Sequence, residues 1–73
     1  MSDELFEKKA EFLSWCIEEY ASSKSLNASD VANMFAREKV LDFLDNHYEV
    51  LHTQGKMYIL SAIADVMTKK DRA

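Results

Sequence analysis

The chain contains no proline, one glycine, one cysteine and one tryptophan in its 73 residues. Strand-rich folds of this size draw on Gly and Pro for their turns, so this scarcity excludes most β architectures. The lone Cys16 cannot close an internal disulfide, which removes the staple of small secreted domains and points to a reducing compartment. No apolar run is long enough to span a membrane, and the opening Met1-Ser-Asp-Glu-Leu-Phe-Glu-Lys-Lys is too charged for a signal peptide. A soluble cytoplasmic protein without a membrane partner is expected. Cations are scarce as well, since 9 Lys and Arg stand against 13 Asp and Glu for a net charge of −4. Such a field repels phosphate backbones and admits basic protein surfaces, so nucleic acid is a disfavoured partner and a protein a favoured one.

Hydrophobic residues make up 48% of the chain and charged residues 30%, a balance that builds a packed globule and not a disordered segment. A chain this short buries a limited fraction of its surface, so stability is expected to be marginal, and a homo-oligomer is one way to add to it. No repeat, low-complexity stretch or linker divides the sequence, which reads as a single domain over residues 1–73.

Four helical segments account for it. From Asp3 to about Ser23, Phe6, Ala10, Leu13, Ile17 and Tyr20 recur at steps of three and four, and Leu5, Phe12 and Cys16 widen that face to half the cylinder. A face so wide predicts a helix lying between two others. Asn27 has the chemistry of an N-cap, with Leu26 and Val31 spaced as a hydrophobic staple, so a short helix over 28–37 should bury Val31, Met34 and Phe35. Val40, Leu41, Phe43, Leu44, His47, Tyr48, Val50 and Leu51 share one half of a helical wheel, opposite Asp42, Asp45, Asn46 and Glu49. The spacing predicts a third helix over about 39–51, with the weak helix formers from Asn46 to Val50 marking a place for a break. The last helix, over about 55–69, should bury Met57, Ile59, Leu60, Ile63, Val66 and Met67, with Lys69, Lys70 and Arg72 at the negative end of its dipole. The expected fold class is all-α, a compact four-helix domain.

Two features stand out as contacts for a partner. The junction His52-Thr53-Gln54-Gly55 gathers a histidine, a hydroxyl, an amide and the only glycine. A recognition loop is one reading. The other makes Thr53 the cap of the last helix and Gly55 a relief of backbone strain, with His52 and Gln54 satisfying nearby backbone groups. Trp15 lies off the wide apolar face, beside Lys8, Glu11, Glu19 and Ser22, where it either anchors a contact or closes the edge of the core.

No catalytic, cofactor-binding or metal-ligating set emerges. His47 and His52 are five apart, a spacing that does not place two ligands on one helix face as a spacing of four does. Cys16 on the apolar face reads as a small hydrophobe and a poor nucleophile. The succession of a short helix from Ala28 and another from Lys39 imitates a helix-turn-helix, but the would-be recognition helix carries Asp42, Asp45 and Glu49 and no arginine.

Phe12-Leu-Ser-Trp-Cys-Ile-Glu-Glu-Tyr20, the helix over 26–35, Val40-Leu-Asp-Phe-Leu44 and above all Tyr48-Glu-Val-Leu-His-Thr-Gln-Gly55 with Tyr58-Ile-Leu60 resemble a small uncharacterised bacterial family, domain of unknown function 3791. The likeness runs from about Phe12 to Met67. It implies a bacterial cytoplasmic origin and carries no established activity; association of some members with toxin-like ADP-ribosyltransferases implies an antitoxin or accessory role. The expectation is a non-catalytic helical module that binds a protein through Trp15 and the His52 to Gly55 junction, with a helix-turn-helix regulator as the alternative.

Overall fold

The computed structural model describes the backbone of residues 3–72 and the side chains of residues 4–68. The chain runs through α1 (Asp3–Lys24), α2 (Ala28–Arg37), α3 (Val40–Asn46), α4 (Tyr48–Leu51) and α5 (Lys56–Arg72), with no strand among the described residues. It is all-α, as the turn-residue deficit predicts. The side chains of Lys69, Lys70 and Arg72, expected to complement the dipole of the last helix, lie outside the described ones.

α1 is the spine, packed against α2, α3 and α5, while α3 also meets α2, α4 and α5. Cys16, Val31, Phe35, Val40, Leu44 and Ile63 have no exposed surface, and Ile59 is buried beside them. Tyr20 joins three elements at this centre. Its ring meets Phe35 edge-on at 5.3 Å, and its hydroxyl donates to Met67 Sδ at 3.9 Å.

Local chemistry fixes the boundaries. Asn27 caps α2, its Oδ1 accepting from the Ser29 backbone N–H at 2.8 Å. Leu26, read as the outer half of a staple, keeps 47% of its surface exposed while Val31 is buried. With a single glycine, placed elsewhere, the chain puts ordinary residues in the left-handed region at two turns, Ser25 (φ 56°) after α1 and Lys39 (φ 66°) between α2 and α3.

The third predicted helix is two. α3 stops at Asn46, and His47 (φ −110°, ψ 19°) separates it from the single turn of α4. The backbone N–H groups of His47 and Leu51 still bond to the Phe43 and His47 carbonyls, so hydrogen bonds flank the bend on both sides. Tyr48 and Leu51 are buried, but Val50, expected on the apolar half, is 59% exposed, because it sits at the margin of that half, more than about 100° around the helix from the centre of the face that Val40, Leu44, Tyr48 and Leu51 bury. His47 is exposed as well.

Two further expectations are corrected. Met57 is 78% exposed and not core, because two positions before Ile59 is about 200° around the helix from the face that Ile59 and Ile63 bury. In α1, Phe12, Leu13, Cys16, Ile17 and Tyr20 pack inward as the wide face requires, but Leu5, Phe6 and Ala10 are exposed. A helix of 22 residues is about 33 Å long, while the shorter extents of the domain are 25 and 23 Å. Its first turns outrun the helices that would cover them.

Candidate functional site

The structure links the two sequence candidates through a chain of rings and an ion pair. Trp15 stacks on Phe12, one turn earlier in α1, with ring centroids 6.4 Å apart and planes at 17°. Phe12 meets Tyr48 of α4 edge-on at 5.4 Å, and Tyr48 stacks on His52 at 4.4 Å with planes at 7°. Trp15 and His52 are thus the outer members of one chain of rings. A second tie comes from charge: Glu19, one turn after Trp15, pairs with Lys56 Nζ at 3.4 Å, and Lys56 directly follows Gly55. Sequence reasoning missed the connecting members Phe12 and Tyr48. A signal for one link was present, since an aromatic residue four before each histidine is the spacing of helix neighbours.

Both histidines perform the same local task. The ring Nδ1–H of His52 donates to the Tyr48 carbonyl at 2.7 Å, and that of His47 donates to the Phe43 carbonyl at 2.9 Å. His47 also leans on the Phe43 ring at 4.7 Å. Each histidine closes the end of a short helix whose last carbonyls would otherwise face water. For His52, the backbone-satisfying reading therefore holds, and the ring keeps an exposed edge besides.

Thr53 and Gly55 do not play the structural parts assigned to them. Thr53 Oγ1 donates backwards to the Val50 carbonyl at 2.8 Å, so it ends α4 and does not cap α5. Gly55 does not adopt a positive φ, and a Cβ added to it would meet nothing within 4 Å. The Gly55 carbonyl accepts the first bond of α5, from Ile59 N–H at 3.1 Å. Gln54 is exposed, held through its backbone N–H on the Leu51 carbonyl at 2.9 Å. Trp15 retains 37% of its surface in solvent: it rests on the edge of the core through Phe12 and still presents its indole outward.

Chemistry elsewhere is sparse. Burial pushes the Cys16 thiol up from 9.0 to about 12, so it is a protonated core residue at neutral pH and not a thiolate nucleophile. A cleft of about 390 Å³ lies between α1 and the α3–α4 bend, lined by Lys9, Asp45, Asn46, His47, Tyr48, Glu49 and Val50. Lys9 bridges it, its Nζ 3.5 Å from Asp45 Oδ1. Among the described residues, no helix is long and apolar enough to cross a membrane.

A family described as "Protein of unknown function (DUF3791)" matches residues 11–70. The chain belongs to that family. The DUF3791 match contains every member of the ring chain and the whole His52 to Gly55 turn, and it omits the uncovered first turns of α1. No curated protein and no solved structure matches the chain.

Proposed function

We propose that the protein is a non-catalytic module that binds another protein through the face shared by Trp15 and the turn from His52 to Gly55. The observation that carries this reading is the ring chain, which joins an outward indole on α1 to an exposed turn 37 residues away in sequence. Large aromatic side chains held rigid at a surface lose little entropy on contact and are favoured anchors of interfaces. An exposed glycine that neither conformation nor space demands also suits a surface that a partner backbone approaches closely. The setting we favour is the bacterial cytoplasm, in an accessory or antitoxin-like role beside a toxin-like enzyme, supported by the family resemblance and the acidic surface. The helix-turn-helix alternative is less well supported: Asp42, Asp45 and Glu49 are all exposed on α3 and α4, where a DNA-reading helix needs cations.

The test is site-specific photo-crosslinking of the full chain in its native host, with the crosslinker placed in turn at Trp15, at Gln54 and at exposed Asn33 on α2. The same partner captured from the first two positions and not the third supports the reading. Capture from Asn33 alone, or from none of the three, ends it. A salt-dependent shift of duplex DNA by the purified chain would favour the alternative instead.

A further inference from the structure

We infer that the partner segment seated on Trp15 is basic, and that it lays an arginine guanidinium on the open face of the indole. This rests on the reading of Trp15 as a contact and gives that contact a chemistry. Helix geometry places Glu11 one turn before Trp15 and Glu18 and Glu19 one turn after it, so carboxylates border the ring along the helix. Glu19 is engaged by Lys56, Lys8, two turns upstream on the side of Trp15, is drawn to Glu4 at 4.0 Å, and Lys9 is held by Asp45 at 3.5 Å. Glu11 and Glu18 are exposed and make no ion pair among the described residues.

The same helix shows what a satisfied ring looks like. Lys24 lies 5.9 Å from the centre of the Tyr20 ring, four residues ahead of it. Tryptophan is the stronger cation acceptor, yet the position four residues after Trp15 is the acid Glu19, and no described cation sits over the indole. Phe12 packs near-parallel beside the ring, and Trp15 keeps 37% of its surface in solvent, so the indole is held with surface available to a partner. A planar guanidinium fits that arrangement better than an ammonium, because it stacks on the ring while its N–H fork reaches carboxylates at the rim.

Trp15 is the only tryptophan, so its emission reports this surface without a label. Hexa-arginine is titrated into the full chain at low and at physiological salt, with hexaglutamate as the control peptide. The expected result is a saturable change in Trp15 emission with hexa-arginine alone. Apparent affinity should fall roughly fivefold in the Glu11→Gln/Glu18→Gln variant and less in Asp30→Asn/Asp42→Asn, which removes the same charge elsewhere on the surface. Both pairs are exposed, so circular dichroism should show unchanged helicity. An emission that does not respond to hexa-arginine overturns the inference, as does an equal loss in the two variants, which would reduce the effect to net charge. A response to hexaglutamate alone overturns the basic partner while leaving Trp15 as a contact. Failure of the crosslinking from Trp15 and Gln54, by contrast, removes the contact itself.

Discussion

Two connections of the domain, residues 37–40 between α2 and α3 and residues 52–56 between α4 and α5, are built on opposite principles. At the first, Lys39 is forced into the left-handed region, and the Glu38 and Lys39 N–H groups turn back onto the carbonyls of Met34 and Ala36, so that Val40 enters the core fully buried. At the second, the glycine is at ease, its surroundings are open, and every residue from His52 to Tyr58 faces solvent. Backbone strain is therefore spent where the fold needs a corner, and the one residue suited to strain sits where the fold makes no demand. That mismatch marks the first connection as architecture and the second as surface.

Substitutions can break or sharpen this contrast. The largest effect belongs to the core behind the first connection: Leu44→Ala should cost about 2 to 5 kcal/mol, read as a drop in the urea midpoint, because the side chain is wholly buried. His52→Ala should cost about 1 to 2 kcal/mol, the sum of one hydrogen bond to the Tyr48 carbonyl and one stacked ring pair. A cost well above that would show the second connection to be architecture after all. Lys39→Gly should raise stability by up to about 1 kcal/mol through relief of the left-handed conformation, and a loss would mean the Lys39 side chain matters more than its backbone. Gly55→Ala should stay within about 0.5 kcal/mol of the parent, since lower unfolded-state entropy opposes a slightly poorer helix start. If the turn is a contact, the same variant should weaken partner capture while its melting temperature holds.

The fold was largely legible because its helices carry long-range periodicity and one strong cap. Asn27 and the 28–37 helix follow from side-chain chemistry within a few residues. The wheel drawn through residues 39–51 was less secure. It takes in a full half of the cylinder, and Val50 at its margin stays outside while Val40, Leu44, Tyr48 and Leu51 near its centre are buried. Leu5, Phe6 and Met57 misled for another reason: periodicity tells which face is apolar and not whether a neighbour reaches it. At the candidate site, composition alone singled out Trp15 and the His52 to Gly55 turn. Their union through Phe12 and Tyr48 depends on how α4 lies against α1, which no local pattern in either segment encodes.

The bend at His47 leaves α3 with seven residues and α4 with four, and helices so short do not persist without tertiary support. Residues 40–51 should therefore open as one cooperative unit, with amide exchange faster than that of α1. Because Tyr48 belongs to that unit, each opening also withdraws the ring on which Phe12 rests. The aromatic face is then a property of the closed ensemble, and anything that grips Trp15 slows exchange across residues 40–51.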